Sequence, residues 1–248
     1  MKPKINIFPN PETLSYSAAE IFIRVGNGAI EARGGFTVAL SGGSTPKSLY
    51  KLLASENLKD KIDWKKVFFF FGDERNVLPD NDESNYRMAN ENLFLPLKLP
   101  VKNIFRWETE LKNPENIAEK YKESIKVFFN LSENEFPRFD LILLGMGDDG
   151  HTASLFPFTE ALNETEKITF ANYVKKLRTT RLTLTFPAIN NAANVVFLIS
   201  GGNKAETLRE VLEGDFQPEK YPSQNVNPAN GNIYWLVEAN AANLLSEI

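Results

Sequence analysis

The chain has 248 residues, of which 42% are hydrophobic, so it is long enough to bury a substantial core. Its 28 basic and 32 acidic residues give a net charge of −4, which argues against a basic surface for nucleic acid. The lack of cysteine excludes disulfides, thiolate metal sites and cysteine nucleophiles, and a single histidine excludes a histidine-rich metal site.

The N-terminal segment and the longest apolar runs argue against export and membrane insertion. The apolar residues of MKPKINIFPNPETL are interrupted by polar residues and prolines, unlike the apolar core of a secretory signal. Runs such as VFFFFG and LILLGMG are far shorter than the roughly 20 residues that cross a bilayer. We therefore expect a soluble, cytoplasmic protein with no membrane or nucleic-acid partner.

Short apolar segments alternate along the chain with longer segments of helical period. The apolar segments lack polar alternation, which is typical of strands covered on both faces. The predicted strands are 36–40, 67–71, 139–145, 194–200 and 232–237. The predicted helices, in which apolar residues recur every three or four positions, are 11–32, 45–56, 83–94, 113–130 and 203–213.

This alternation predicts an α/β fold with a mostly parallel sheet and helices on both faces, a doubly wound, Rossmann-like arrangement. No linker, charge block or low-complexity segment divides the chain, so we predict one domain over residues 1–248. The segment 217–231 is rich in proline and asparagine. We predict that it forms a long surface loop, and it is our candidate for a mobile segment near a ligand.

Two segments share the order strand, Ser-Gly-Gly, helix: VALSGGSTPKSLYKLL and FLISGGNKAETLREVL. A glycine turn that opens a helix leaves N–H groups unpaired at the positive end of the helix dipole, which suits a phosphate. In the first turn, Gly42 and Gly43 let the main chain approach a ligand, and Ser44 and Thr45 add hydroxyl donors. Tight strand-to-helix turns also favour glycine without any ligand, so the pattern leaves both interpretations open.

The letters GMGDDG match G-x-G-x-x-G, but the preceding strand comes late in the chain. The spacing of a Walker A loop is absent as well. We therefore predict no bound dinucleotide.

Three further groups of polar residues follow predicted strands, where ligands of parallel sheets bind. Asp73 and Arg75 flank Glu74 after strand 67–71, although a single D-E-R is more typical of a solvated charged loop. The turn after strand 139–145 carries Asp149 and His151, and Lys204 follows strand 194–200 beside a helix N-terminus. A histidine in a glycine turn with carboxylates favours catalysis over a structural role. The residues predict an enzyme for a small phosphorylated metabolite with one general base, and leave the reaction open.

Five segments together resemble the 6-phosphogluconolactonases, a family of the pentose phosphate pathway. They are VALSGGSTPKSLY, FFFGDERNVLPDNDESNYRMANENL, FDLILLGMGDDGHTASLFP, RLTLTFPAINNAANVVFLISGGNKAETL and a terminal stretch with proline and tryptophan. The resemblance runs from about residue 36 to 240, and DGHTASLFP is its most specific part. The related glucosamine-6-phosphate deaminases carry a pattern like D-G-H-I-A-F-N-E-P at this turn, which favours lactone hydrolysis here.

The resemblance implies hydrolysis of 6-phospho-D-glucono-1,5-lactone to 6-phosphogluconate, without metal or cofactor. It implies that His151 is the general base, since histidine changes charge nearest to neutral pH. Asp149 and Asp73 are both candidates for the carboxylate that orients the imidazole, and Asp149 lies in the family motif. Backbone N–H groups of the 145–150 turn or of the first Ser-Gly-Gly turn are candidates for stabilising the oxyanion.

For the phosphate, the resemblance implies a set of cationic and hydroxyl-bearing residues. At two positions the match between the chain and the family pattern is ambiguous or incomplete. Arg178 competes with Arg181, although alignment at R-x-T-L-T favours Arg181, and Glu238 stands where the family commonly has aspartate. The implied phosphate site consists of Arg75, Arg181 and Lys204 with Ser44, Thr45 and the turn at Gly42 and Gly43.

Two alternatives remain from the sequence. One is a deaminase-like sugar-phosphate isomerase of the same fold, which would release ammonia. The other is a non-catalytic sugar-phosphate sensor, against which the intact DGHTASLFP argues because a sensor needs no base. We expect a monomer or a small homo-oligomer in every case.

Overall fold

The computed structural model describes residues 4–246, and within them the strands form two separate sheets. The strands are β1 (Lys4–Phe8), β2 (Phe36–Leu40), β3 (Val67–Phe71), β4 (Asp73–Arg75), β5 (Leu141–Leu144), β6 (Thr169–Val174), β7 (Thr179–Leu184), β8 (Asn194–Ile199) and β9 (Asn232–Glu238). The α-helices are α1 (Pro11–Arg33), α2 (Ser44–Leu53), α3 (Asn85–Ala89), α4 (Pro114–Phe129), α5 (Phe186–Asn190), α6 (Ala205–Glu213) and α7 (Ala239–Ala242).

Short 3₁₀ turns and a π-helical segment connect these elements. The helix predicted over 83–94 is one such case, because α3 continues as a π-helical segment at Asn90–Phe94. The 3₁₀ turns are Trp64–Lys66, Val101–Asn103, Thr109–Leu111, Glu160–Asn163, Gly202–Lys204 and Pro222–Asn225. No helix among residues 4–246 is both long and apolar enough to cross a bilayer.

The main sheet has six strands in the order β1-β9-β8-β5-β2-β3, and all its neighbouring strands are parallel. The five strands predicted from the sequence are β2, β3, β5, β8 and β9 of this sheet. The prediction of a mostly parallel α/β sheet is therefore confirmed. A second sheet, in the order β4-β7-β6, is antiparallel and was not predicted as a sheet.

Helices cover both faces of the main sheet, as predicted. Every residue of β2 and of β5 is buried, which explains why their sequences show no polar alternation. On one face, Phe36 of β2 packs against Phe22 of α1, with ring centroids 5.1 Å apart. On the other face, Phe70 of β3 packs against Phe128 of α4 at 5.2 Å. The aromatic residues thus join the helical layers to the sheet.

The long helix α1 follows from local signals in the sequence. The Asn10 side chain accepts a hydrogen bond from the Thr13 N–H at 2.9 Å, and Pro11 occupies the first turn. The helix ends at Gly34, whose φ of 79° is a left-handed conformation that glycine adopts without strain. The predicted range 11–32 therefore differs from the observed helix by one residue.

The strands missing from the prediction lack a continuous apolar run. The residues of β1 are exposed or half-buried, β6 mixes buried with half-buried and exposed residues, and β4 consists of polar residues although Asp73 and Glu74 are buried. The β6–β7 hairpin stands beside the carboxyl edge of the main sheet because β7 pairs with β4, which directly follows β3. That pairing brings Arg181 opposite Arg75.

The segment 217–231 departs from the prediction of a surface loop. Its centre forms the 3₁₀ turn Pro222–Asn225, and the side chains of Pro222, Ser223 and Val226 are buried. The N–H and the hydroxyl of Ser223 both donate to the backbone oxygen of Gly150, at 2.9 and 2.8 Å. These contacts attach the segment to the turn that precedes the histidine.

Candidate active site

A cavity of about 350 Å³ lies at the carboxyl edge of the main sheet. It is small within the roughly 300–1,000 Å³ typical of small-molecule sites. The turns that follow β2, β3, β5 and β8 meet there, because neighbouring parallel strands end at the same edge. The predicted site residues in its lining are Gly42, Gly43, Asp73, Arg75, Asp149, His151, Arg181 and Lys204.

Ser44 and Thr45 were predicted to bind phosphate through their hydroxyl groups, but neither lines the cavity. Ser44 is exposed and Thr45 is buried. Since α2 begins at Ser44, both residues lie in the first turn of that helix. What this turn presents to the cavity is the main chain of Gly42 and Gly43.

The first Ser-Gly-Gly turn is fixed by close contacts. A Cβ at Gly42 would lie 1.9 Å from the Asn85 Oδ1, so only glycine fits against that side chain. Gly43 has a φ of 107° and precedes α2 without a side-chain cap. The Tyr50 hydroxyl accepts from the Ser41 N–H at 3.1 Å and donates to the Ser41 oxygen at 2.8 Å. Burial raises the pKa of Tyr50, so this donor stays protonated. The first turn of α2 thus keeps its N–H groups for an anion.

The second Ser-Gly-Gly turn is held by Glu238, which lies outside the cavity lining. The Glu238 carboxylate accepts from the Gly201 N–H at 2.8 Å and from the hydroxyl of Ser200. The hydrogen bond from Ser200 lowers the pKa of Glu238, and the bond from Gly201 adds to this effect against partial burial. Glu238 precedes α7 but its side chain does not cap that helix. It therefore supports the turn that leads to Lys204.

His151 and Asp149 form a hydrogen-bonded pair on the cavity wall. The Nδ1 of His151 lies 2.5 Å from the Asp149 Oδ1. Burial alone would raise the pKa of Asp149, but the hydrogen bond and charge of His151, together with Lys176, hold it below its ordinary value. An ionised carboxylate only accepts, so in the neutral ring the hydrogen lies on Nδ1 and the lone pair on Nε2. No residue between 4 and 246 hydrogen-bonds to that Nε2.

Two neighbours fix the plane of the imidazole. The Phe156 ring stacks on it, with centroids 4.0 Å apart and planes inclined by 21°. On the side of the turn, a Cβ at Gly147 would lie 2.2 Å from the imidazole Nδ1. Glycine at this position is therefore what allows the ring to lie against the main chain. The side chain of His151 remains 25% exposed, which leaves it open to the cavity.

Asp73 does not contact His151, although the sequence left it as a candidate to orient the ring. Its Oδ2 accepts from the Ser154 hydroxyl at 2.7 Å, and its backbone oxygen accepts from the Asn85 side chain at 2.9 Å. Asp73 is buried in β4, so D-E-R is a strand here and not a solvated loop. The carboxylate that orients the imidazole in this structure is that of Asp149.

The glycine turn around residues 145–150 uses part of its own main-chain hydrogen-bonding capacity. The Gly147 N–H donates to the His151 oxygen at 2.9 Å, and the Gly150 N–H donates to the Gly147 oxygen at 3.2 Å. These two donors are engaged within the turn. A ligand at this turn would therefore need its other N–H groups as donors.

Three cations line the same cavity. Within residues 4–246, no carboxylate lies within 4.0 Å of the charged nitrogens of Arg75, Arg181 or Lys204. The Nε of Arg181 is buried without any hydrogen-bond partner there. Burial lowers the pKa of Arg181, the neighbouring Arg75 adds to that shift, and burial also lowers the pKa of Lys204. An anion from outside the chain would relieve these costs.

The structure also separates the two arginines that the sequence left in competition. Arg181 lies in β7 opposite Arg75 and lines the cavity. Arg178 is exposed in the turn between β6 and β7, with a φ of 51°. The arginine brought to the cavity is thus the one that the family pattern indicated.

Among the cavity residues that were not singled out from the sequence, three have side chains in contact with His151, Asp149 or Asp73. Phe156 and Ser154 lie within the DGHTASLFP motif, whose letters alone do not reveal the stack on the imidazole or the bond to Asp73. Lys176 lies in YVKKLRTT, where no local signal marks it, because its contact with Asp149 depends on the hairpin. Tertiary pairing was required to find it.

The chain is similar in sequence to proteins of the family that its motifs resemble. The family model described as glucosamine-6-phosphate isomerases/6-phosphogluconolactonase matches residues 9–235. A Nostoc sp. protein named 6-phosphogluconolactonase is 40% identical over 247 residues, covering 99% of this chain and 100% of that protein. A Chlamydia pneumoniae protein of the same name is 40% identical over 238 residues, covering 94% of this chain and 87% of that protein.

Solved structures of related proteins have the same fold over nearly the whole chain. The 6-phosphogluconolactonase of Trypanosoma brucei superposes with a TM-score of 0.87 at 28% identity, covering 99% of both chains. A monomeric glucosamine-6-phosphate deaminase has a TM-score of 0.80 at 20% identity over 97% of this chain and 99% of that chain, which shows a shared fold.

The chain belongs to the glucosamine-6-phosphate isomerase/6-phosphogluconolactonase family. The named relatives above that share 28% to 40% of its residues are 6-phosphogluconolactonases. The resemblance drawn from the sequence motifs is therefore confirmed.

Proposed function

We propose that the chain hydrolyses 6-phospho-D-glucono-1,5-lactone to 6-phospho-D-gluconate, with His151 as the general base. One observation carries the assignment of roles. The same small cavity holds an imidazole oriented by a carboxylate and three cations without an ionic partner among residues 4–246. A phosphorylated lactone has a phosphate for the cations and a carbonyl for water activated by the imidazole.

The phosphate would bind between Arg75, Arg181 and Lys204, beside the N-terminus of α2. Guanidinium groups donate two parallel hydrogen bonds to phosphate oxygens, and the lysine adds a point charge. The buried, unpartnered Nε of Arg181 supports this placement, since a phosphate oxygen would satisfy it. Binding at these cations fixes the distance of the lactone carbonyl from the histidine.

The chemical step needs one proton acceptor and no covalent intermediate. A water attacks the C1 carbonyl while Nε2 of His151 takes a proton from it, and the carbonyl oxygen becomes an oxyanion. The bond between C1 and the ring oxygen then breaks, and the imidazolium returns the proton to that oxygen. The products are the open-chain hydroxyl and a carboxylic acid, which ionises at neutral pH.

Two groups support this step. Asp149 holds the hydrogen on Nδ1 and stabilises the imidazolium that forms after proton transfer. N–H groups of the 145–150 turn other than those of Gly147 and Gly150, which already donate within the turn, are our candidates for donors to the oxyanion, because this turn carries the histidine and the turn at Gly42 and Gly43 lies beside the phosphate.

Hydrolysis of freshly prepared lactone at neutral pH tests the proposal. Product formation by wild type and by His151→Ala is compared with the buffer rate, because the lactone also hydrolyses alone. We expect acceleration by wild type and a loss of about 100-fold or more in kcat for the variant. A wild type no faster than buffer overturns the proposal, and ammonia released from glucosamine 6-phosphate would indicate the deaminase alternative.

Several expectations from the sequence stay predictions beside this proposal. They are the single domain over residues 1–248, whose first three and last two positions lie outside the described residues, the cytoplasmic location, and the monomer or small homo-oligomer. The lack of nucleic-acid and membrane partners is a further one. Light scattering of the purified chain measures the oligomeric state directly.

A further inference from the structure

The tip of the β6–β7 hairpin reaches the carboxylate that orients the histidine. Lys176 lies in the turn between the two strands, and its side chain is 66% exposed. Its Nζ donates to the Asp149 Oδ2 at 3.1 Å. Leu177, the next residue, lines the same cavity. An exposed lysine therefore bonds a half-buried carboxylate of the site. The proposed mechanism assigns no role to this lysine.

We infer that Lys176 is a positioning residue, which acts on His151 by holding the Asp149 carboxylate in the rotation that faces Nδ1. This inference rests on the proposed function, because it assigns a role within that reaction. It differs from a substrate contact, since Lys176 would influence the proton acceptor and leave the binding of the phosphate unchanged.

The division of hydrogen bonds on Asp149 supports the inference. Oδ1 accepts from the His151 ring at 2.5 Å and from the His151 N–H at 3.3 Å. Among residues 4–246, Oδ2 has Lys176 as its hydrogen-bond donor. Without the lysine, Oδ2 is bonded by solvent alone, and the carboxylate is freer to rotate away from Nδ1. The pKa of Lys176 is raised by this same hydrogen bond, which agrees with a charged ammonium in contact with the carboxylate.

The charges around the imidazole give the inference a pH signature. Charge alone would move the acidic limb of the pH–activity profile to higher pH without Lys176, because the ammonium partly offsets Asp149. A carboxylate that turns away from Nδ1 no longer stabilises the imidazolium, so the positioning role predicts that the acidic limb moves to lower pH. The other charged groups of the cavity lining, which stay constant in the comparison, are Asp73, Arg75, Asp148, Arg181 and Lys204.

The neighbouring lysine provides a matched control. Lys175 is also exposed and lies in the same turn, but it makes no ion pair or side-chain hydrogen bond with any residue from 4 to 246. Lys175→Met removes the same charge at nearly the same place and leaves the contact with Asp149 intact. Lys176→Arg keeps a charged donor, although with a different shape.

Kinetics across pH test the inference in wild type, Lys176→Met, Lys176→Arg and Lys175→Met. An exposed ion pair has a modest effect, so we expect kcat to fall about two- to fivefold in Lys176→Met. The acidic limb should move to lower pH, and KM should stay within about twofold of wild type. Lys176→Arg should recover most of kcat, and Lys175→Met should match wild type.

A second readout does not depend on turnover. The chain has one histidine, so the ¹⁵N signals of the ring need no assignment. We expect hydrogen on Nδ1 in the neutral ring of wild type and a larger share on Nε2 in Lys176→Met. An unchanged ring in Lys176→Met overturns the inference, as does a rise in KM with unchanged kcat, which would indicate a substrate contact. If wild type does not hydrolyse the lactone, the proposed function fails, and the ring signals still decide the role of Lys176.

Discussion

Two sets of polar groups in the cavity lining differ in how they are partnered. We call Asp149 and His151 with their neighbours the His151 end, and Arg75, Arg181 and Lys204 the cation end. At the His151 end, Asp149 bonds both the imidazole and Lys176, Phe156 stacks on the ring, and the turn bonds to itself. At the cation end, Arg75, Arg181 and Lys204 have no ionic partner within residues 4–246, and the Arg181 Nε has no partner of any kind there.

This difference separates two tasks. A base must be held in one orientation before the substrate arrives, so its contacts are complete in the free protein. Cations that await a phosphate must stay unpaired, because an internal carboxylate would compete with the ligand. Changes at the His151 end should therefore lower kcat, whereas changes at the cation end should raise KM.

The largest effect is expected at the carboxylate that orients the ring. Asp149→Asn removes the charge that stabilises the imidazolium and replaces an acceptor-only group by an amide that can also donate to Nδ1, so the hydrogen is no longer fixed on Nδ1. We expect kcat to fall about 100-fold or more, with KM changed little, in steady-state kinetics at neutral pH.

Asp73→Asn is the matched comparison for that prediction, because Asp73 is also a carboxylate of the cavity but bonds Ser154 instead of the histidine. Its loss in kcat should be at least about tenfold smaller than that of Asp149→Asn. Equal losses of kcat in the two variants would contradict the assignment of Asp149 as the carboxylate that orients His151.

The next effect is expected at the cation end. Arg181→Met removes a guanidinium whose ionisation is opposed by burial and by Arg75, so the folded protein should not lose stability. We expect kcat/KM for the phosphorylated lactone to fall roughly 30-fold, or about 2 kcal/mol, mainly through KM. Inorganic phosphate should raise the Tm of wild type and not that of Arg181→Met.

Arg33→Met gives the opposite control for this variant. Arg33 lies at the other edge of the sheet, at the end of α1, and is paired with the buried Asp140. Its loss should lower Tm and leave KM unchanged. If Arg181→Met behaves in the same way as Arg33→Met, then Arg181 is a structural residue and the cation end has been misassigned.

The smallest effect on kcat is expected at Ser223, which bonds the turn that precedes the histidine. Ser223→Ala removes a buried hydroxyl that donates to the Gly150 oxygen, whereas the Ser223 N–H keeps its own bond to that atom. We expect a loss of about 1 kcal/mol in the free energy of unfolding, measured in urea, and a change in kcat below about threefold. Ser124→Ala on the exposed side of α4 serves as the control. A much larger loss of kcat at nearly unchanged stability would mean that this segment acts on the imidazole itself.

The sequence predicted those parts of the molecule that depend on local patterns. Uniformly apolar runs identified the buried strands β2, β3, β5, β8 and β9, and polar residues after them identified the edge that carries the site. His151 and Asp149 are two residues apart, so their proximity was readable from one motif.

Other parts depend on pairing between distant segments. Ser44 and Thr45 lie in the first turn of α2 and outside the cavity lining, so the binding of phosphate by their hydroxyls stays a prediction. The contact of Lys176 with Asp149, the bond of Ser223 to Gly150 and the support of Gly201 by Glu238 span 27, 73 and 37 positions. No local pattern encodes such contacts, and the half-exposed β6 gives no apolar run to reveal its hairpin.

The most direct test of the division of tasks compares two substrates on the wild-type protein. One is 6-phospho-D-glucono-1,5-lactone, and the other is glucono-1,5-lactone, which has the same reactive carbonyl and no phosphate. We expect kcat/KM to favour the phosphorylated lactone by about 100-fold or more, since the cations stay unpaired with the other substrate. Equal values for the two lactones would contradict a phosphate at the cation end, and rates equal to buffer for both would contradict the catalytic role of His151.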